Sequence, residues 1–369
     1  GTEGSVMKDN ARQNTTSEEL DVSYMRGIRP EDHVTEHSHV IREHAESPGQ
    51  NRFFADFVNN STLSENFPFS TWTKLMRETM MDDREKLMKR SPSGGIFELR
   101  KAIADYLYQF RGMSVSPNQI IVGAGTEYLY GLIIQLLGRD SVYGVENPGY
   151  QKIQHIYDAY QVKCCYIDMD ESGVNIDSLE RSGADVVHIS PSTGTVTPAS
   201  RRYELLGWAA KQEGRYIIED EYDSEFRLVG NPIPALQSID ASDKVIYMNT
   251  FSKSLSSTIR ISYMVLPIPL MVRYNHVLSF YACTVSNFDQ YTLTRFIQEG
   301  YLEKHINRMR KFYRNSRDRI LGCIRNHRLY PQVTIKEENA GLHFLMEIDT
   351  SYTDREMVDR AAAAGINIS

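Results

Sequence analysis

No stretch of this chain approaches the apolar length needed to cross a bilayer, and its polar beginning, Gly1-Thr2-Glu3-Gly4-Ser5, is no secretory leader. Both absences predict a cytoplasmic protein that does not engage a membrane. Cysteine is scarce. Cys164, Cys165, Cys283 and Cys323 show no CxxC spacing, which argues for reduced thiols and against a disulfide framework or a zinc site. Positive charge is not in excess either: 41 Lys and Arg against 48 Asp and Glu leave a net charge of −7, so the chain's general field does not favour nucleic acid. Internal repeats and low-complexity tracts are also missing.

What remains is the composition of an ordinary soluble globular protein, with 41% hydrophobic and 24% charged residues over 369 positions, enough for two lobes. Residues 1–50 are polar and without apolar periodicity, and they read as a linker or loosely ordered arm. This arm holds His33, His37, His39 and His44, the first two at the i, i+4 spacing of a helical metal pair. No further ligand completes a set nearby, so they read as a solvated face and no metal is expected.

From Arg52 the pattern changes. Ser70 is placed to cap a helix beginning near Trp72, and Leu99, Ile103, Tyr106, Leu107 and Phe110 fall on one face of a later helix as core. Seven short apolar runs follow, predicted as strands: 120–122, 142–145, 162–167, 186–189, 216–218, 245–248 and 261–266. Helices are expected between several of them, over 127–137, 150–160 and 201–212. Strands interleaved with helices indicate an α/β domain with a seven-stranded, mostly parallel sheet, whose ligands gather at the C-terminal strand ends. Past Pro267 the pattern turns helical. Residues 301–320 alternate Ile306, Met309 and Tyr313 with Arg308, Arg310, Lys311, Arg314 and Arg317, which reads as a long packed helix with a solvated basic face. A strand at 342–348, a helix at 353–364 and the beginning of a strand at Gly365 complete a smaller α+β lobe that is expected to be incomplete.

The strand ends carry the chemistry. After the first comes Gly123-Ala124-Gly125-Thr126-Glu127, opening an apolar helix; glycines let backbone amides approach a phosphate, and the helix N-terminus adds donors. A glycine-rich turn with a capped helix is also plain architecture. Glu146-Asn147-Pro148-Gly149-Tyr150 places an aromatic where it can lie on a heteroaromatic ring, or simply pack. Glu219-Asp220-Glu221-Tyr222-Asp223 puts a carboxylate at a buried strand tip, which is costly unless something pairs with it. A protonated pyridine nitrogen is such a partner, with Tyr222 two residues on for the ring hydroxyl; an acidic loop is the plainer alternative. Finally Asn249-Thr250-Phe251-Ser252-Lys253-Ser254-Leu255 follows a buried strand, with Arg260 seven residues past the lysine. An amine in a neutralising environment forms a Schiff base, while Ser252 and Arg260 suit a phosphate. Together the four groups stand in the chain order of a pyridoxal phosphate site.

At these residues the sequence resembles fold-type-I pyridoxal-phosphate enzymes, and among them the aminotransferase-like domain of MocR regulators, a branch of the GntR transcription-factor family. The likeness runs from about Arg52 to the end. It rests on Val122–Leu129, Glu146–Tyr150, Ser200–Leu206, Ile218–Phe226, Thr250–Leu255 and His305–Arg310. Arg201-Arg202 and Asp223-Ser224-Glu225-Phe226 are closer to MocR proteins than to aminotransferases at large. The resemblance implies that Lys253 forms the internal aldimine with pyridoxal 5'-phosphate, that Asp220 partners the ring nitrogen, and that Tyr222 partners the ring hydroxyl. Tyr150 then stacks on the ring, while Gly125, Thr126, Glu127, Ser252 and Arg260 surround the phosphate. It further implies a large cofactor-binding domain over 51–268, a small domain over 269–369, and a homodimer.

Three departures qualify the likeness. Residues 1–50 show no winged helix-turn-helix, so DNA is expected only through a domain absent from this chain. The run Ser190-Pro191-Ser192-Thr193-Gly194 is shorter than the family's loop, which sets several more residues, a histidine among them, between that serine and threonine. The family's substrate-carboxylate arginine lies beyond Ser369. Three functions compete: an effector domain binding an amino acid or amine at Lys253, a free-standing aminotransferase, and a scaffold that has lost its cofactor. The motif detail favours the first.

Overall fold

Each predicted strand run is short, apolar and bounded by turn residues, which suits a buried strand better than a helix. The computed structural model describes residues 53–58, 62–191, 196–226, 234–338 and 342–368. Its main sheet contains β1 (Ile120–Gly123), β2 (Val142–Asn147), β3 (Lys163–Asp170), β4 (Gly173–Val174), β5 (Val186–Ile189), β6 (Tyr216–Asp220), β7 (Val245–Thr250) and β8 (Ser262–Val265). All seven expected strands are present; β4 is an added two-residue edge. The order across the sheet is β1-β8-β7-β6-β5-β2-β3-β4. Strands β7, β6, β5, β2 and β3 pair in parallel, whereas β8 runs antiparallel to both neighbours and β4 to β3. The chain runs outward from β2 to β4, then returns through β5 on the other side of β2. Open sheets place ligands at such a reversal, beyond the C-terminal strand ends.

The helices that matter for the site are α1 (Phe69–Asp82), α2 (Phe97–Arg111), α3 (Thr126–Leu137), α4 (Gln151–Ala159), α5 (Ala199–Ala210), α6 (Ile268–Val277), α7 (Asn287–Gln298) and α8 (Tyr301–Arg325). Side chains alternate across a strand, so each strand feeds both layers. Ile121, Val186, Ile218, Ile246, Met248 and Met264 pack with Leu129, Ile133 and Leu136 of α3 and Tyr157 of α4. On the opposite face, Val122, Tyr247, Tyr263 and Val265 meet Leu99, Ile103 and Leu107 of α2 and Leu293 and Phe296 of α7. Toward β3, Val187, Ile189 and Ile217 pack with Leu205 and Trp208 of α5.

Some local expectations shift. Ser70 lies inside α1, whose N-cap is Pro68 with no side-chain cap, because the Pro68 carbonyl already accepts from the Trp72 amide. Phe110 is 38% exposed, as the last turn of α2 swings it past the edge of the core, while Leu99, Ile103, Tyr106 and Leu107 are buried. Helix α5 begins at Ala199, two residues earlier than its pattern suggested. In α8, Ile306 and Met309 are buried and Tyr313 meets Phe226 edge-on at 5.3 Å.

A second compact unit contains residues 53–58 and the chain from Thr353 on. There Ala55–Asp56 pairs in parallel with Ile366–Asn367, so the strand expected at the end of the sequence is present. Thr353 caps the helix Asp354–Ala363 in a capping box with Glu356. The histidines at 33, 37, 39 and 44, and the run from Ser192 to Gly194, lie outside the described residues.

Candidate cofactor site

Parity along β6 decides what the acidic run can do. Asp220 follows Ile218 on the face covered by α3, and Glu219 follows Ile217 on the other. Glu219 is consumed by architecture: its carboxylate accepts from the amides of Leu236 at 2.6 Å and Gln237 at 3.0 Å, with Arg202 Nη1 at 3.4 Å. Glu221 faces Arg111 at 3.3 Å. Asp220 is different. It is 3% exposed, its Oδ2 accepts from the Tyr130 hydroxyl at 2.5 Å, and its Oδ1 is buried with no hydrogen-bond partner among the described residues. Leaving such an oxygen unpaired costs about 1–3 kcal/mol, so it reads as an acceptor reserved for a ligand.

Behind Asp220 stands a chain of polar groups. His188 shares its parity with Val186 on β5, which turns the ring toward Asp220; Nε2 lies 3.5 Å from Oδ2. Its Nδ1 meets the hydroxyl of Tyr157, from α4, at 2.7 Å. Tyr157 and Nδ1 share that hydrogen bond, whereas Nε2 makes none among the described residues. Burial, followed by the charge on Asp220, holds the Tyr130 phenol well above its usual range, so it stays a donor. The Thr126 hydroxyl in turn bonds to Tyr130 one helical turn on.

Lys253 sits in the four-residue helical turn Phe251–Ser254 directly after β7, the strand that pairs with β6 at Asp220↔Met248. The two residues therefore project from adjoining C-terminal strand ends. Burial, the largest influence, pushes the Lys253 amine below its usual pKa; Asp223 opposes this and the like charge of Lys152 adds to it. The Lys253 Nζ is 6.0 Å from the centre of the Tyr222 ring. The turn is braced twice: Thr250 caps it by accepting from the Ser252 amide at 3.1 Å, and His305 of α8 bonds to the Ser254 carbonyl.

The glycine-rich loop after β1 is held by ion pairs. Gly125 adopts φ +94°, and a Cβ there would fall 2.3 Å from Arg260 Nη2, so only glycine lets the guanidinium approach. Arg260 itself has φ 51°, a left-handed conformation that its side chain disfavours. Arg260 Nη2 and Lys152 Nζ each lie 2.6 Å from the Glu127 carboxylate. Burial alone would raise the Glu127 pKa, but Lys152, its own backbone N–H and Arg260 outweigh that and hold it at about 2. Tyr150 is 60% exposed at the start of α4, two residues before Lys152.

The structure thus brings Gly125, Glu127 and Arg260 together at one end of the site, and Asp220, Tyr222 and Lys253 at neighbouring strand ends. Sequence reading missed Tyr130, Tyr157, His188 and Lys152. Their only signals were parity with Val186 for the histidine and i+4 spacing from Thr126 for Tyr130.

The profile of the family "Aminotransferase class I and II" matches residues 58–368. The uncharacterized HTH-type transcriptional regulator YdeL of Bacillus subtilis is 39% identical over 332 residues, covering 89% of this chain and 71% of that protein. The Rhizobium meliloti protein named "Probable rhizopine catabolism regulatory protein MocR" is 31% identical over 308 residues, covering 82% of this chain and 62% of its own length. Among solved structures, the kynurenine aminotransferase of Pyrococcus horikoshii superposes with a TM-score of 0.75 at 23% identity, covering 90% of this chain and 84% of that one.

Proposed function

The chain belongs to the aminotransferase class I and II family, as an aminotransferase-like domain akin to those of MocR-type regulators, and from that premise we propose that it is the effector-binding domain of such a regulator. The cofactor that the family implies is pyridoxal 5'-phosphate, and the residues present fit it. A buried carboxylate oxygen without a partner among the described residues suits a protonated pyridine nitrogen, and a glycine cradle beneath an arginine suits a phosphate. When bound, this cofactor supplies an aldehyde that captures amines and a ring that withdraws electrons from them.

In this reading Lys253 presents the amine, and burial lowers its pKa by disfavouring its charged form. Asp220 accepts from the ring nitrogen through Oδ1, while Tyr130 holds its other oxygen and His188 Nε2 lies 3.5 Å from it. Tyr222 stands beside Lys253 for the ring hydroxyl, and Tyr150 offers its open face for stacking. Arg260, Ser252, Thr126 and the backbone of Gly125 and Glu127 surround the phosphate. The proposal extends to a cytoplasmic homodimer with a large domain over 51–268 and a small one over 269–369, meeting DNA through a winged helix not found in this sequence.

The observation that carries the reading is the pairing of Asp220 Oδ1, buried without a partner among the described residues, with a lysine amine whose pKa burial lowers at the next strand end. The test is to load the purified protein with pyridoxal 5'-phosphate, titrate amino acids while following visible absorption, and assay for a 2-oxo acid. Spectral exchange without turnover supports the effector domain, and sustained 2-oxo acid formation supports an aminotransferase. Lys253→Ala should abolish the covalent linkage, read by mass spectrometry after borohydride reduction. Cofactor fixed to the variant at the wild-type level refutes the assignment.

A further inference from the structure

The phosphate end of the site contains a charge that a phosphate has no use for. An ionised carboxylate is an acceptor only, so the Glu127 side chain cannot bind a phosphate oxygen. It instead occupies donors that a phosphate would take: Arg260 Nη2 at 2.6 Å, Lys152 Nζ at 2.6 Å and its own backbone N–H in the first turn of α3. That carboxylate stays ionised down to a pH of about 2. Arg260 already lies against the glycine cradle, where a Cβ on Gly125 would sit 2.3 Å from Nη2.

We propose that Glu127 is a resident competitor for the phosphate, holding Arg260 until a phosphate monoester displaces its carboxylate, which Lys152 then retains. The inference rests on the cofactor reading above and adds to it an affinity threshold at the phosphate end. A ligand that needs Arg260 free binds more weakly by the fraction of time the guanidinium is released. Every phosphate suffers the same factor, but a lone anion has no other contact to offset it. A phosphate carried on a ring that also meets Asp220 and Lys253 does. The ratio of the two affinities is unchanged, but the concentration at which free phosphate fills the cradle is raised, while a phosphate on such a ring keeps its other contacts. Lys152 links this exchange to α4, whose N-cap is Tyr150, and its charge also reaches Lys253.

The test is calorimetry on the full chain with three ligands: inorganic phosphate, pyridoxal 5'-phosphate and pyridoxal, which lacks the phosphate. In Glu127→Gln, inorganic phosphate and pyridoxal 5'-phosphate should each bind about fivefold more tightly, the factor expected of a partly exposed ion pair, with pyridoxal unchanged. Unchanged or weaker phosphate binding overturns the proposal, since Glu127 then either does not compete or serves to orient Arg260. A second variant guards against a folding artefact. Lys152→Met commits Glu127 to Arg260, so inorganic phosphate should bind about threefold more weakly, and adding Glu127→Gln should recover most of that loss. An equal loss in both backgrounds overturns the competition. Wild-type protein that takes up neither phosphate nor pyridoxal 5'-phosphate overturns the cofactor reading along with this inference; normal cofactor uptake with no response to Glu127→Gln overturns the inference alone.

Discussion

At the ring end of the site, Asp220, Tyr130, His188 and Tyr157 form a buried chain in which phenols and an imidazole support one carboxylate. At the phosphate end, Glu127, Arg260 and Lys152 form an ion-paired triad in partial contact with solvent, with side-chain exposures of 34%, 53% and 52%. The same chemistry, an anion held by donors, is solved in two dielectric settings. Buried polar groups lose heavily when a partner is removed, because the orphan cannot turn to water. Exposed ion pairs exchange partners cheaply, as the proposed displacement of the Glu127 carboxylate requires. One end is fixed and the other exchangeable.

The sharpest attack on this contrast is Asp220→Ala. It removes the proposed acceptor for the ring nitrogen from a water-poor setting, and retention of pyridoxal 5'-phosphate should fall by roughly a hundredfold, read by equilibrium dialysis. Unaltered retention and spectrum would place the ring elsewhere. Tyr130→Phe comes next. It should destabilise the protein by about 1–3 kcal/mol in urea unfolding, through the unpaired Asp220 oxygen, although no charge is lost. A cost no larger than that of a surface substitution would mean that water reaches Asp220, and the contrast would fail.

Acidity provides the gentlest probe, because two glutamates are shifted in opposite directions. Glu146 is raised to about 7, first by burial and further by the charge on Asp220, against a bond from the Ser190 amide. Its folded pKa exceeds the unfolded one, so its contribution is complete below about 4.5 and lost as pH rises through about 7. Glu127 is depressed to about 2, so its contribution is present above about 4.5 and lost as pH falls toward 2. Glu146→Gln should flatten the stability profile between those upper limits. Glu127→Gln should flatten only the acid limb, and by less, as solvent screens the triad.

The chemical cast was largely legible in the sequence. A lysine after a buried strand, an aspartate at another strand tip and a glycine loop opening a helix are local patterns, and the seven strands carrying them announced themselves by apolar runs. The support was not. Tyr130 read as one more residue of an apolar helix, and His188 as a polar interruption in a strand. Nothing in one dimension says that β5 and β6 are neighbours, or that α3 covers the face on which both side chains emerge. In residues 219–223 the sequence pointed to a strand-tip carboxylate at Asp220, with an acidic loop as the plainer alternative. Strand parity adds that Glu219 clamps a helix start while Asp220 Oδ1 is left without a partner among the described residues. Ser70 looked like a cap and lies inside its helix, because a proline upstream already supplied the first carbonyl.

Local sequence by itself determined which residues could capture an amine, which could face a phosphate, and that a layered α/β domain would carry them, because strand and helix periodicity and side-chain chemistry are properties of short segments. Only the tertiary structure decided which carboxylate keeps one oxygen buried without a partner among the described residues and which is held by two cations. Burial and pairing depend on neighbours far away in the chain, and these fix the difference between Asp220 and Glu127.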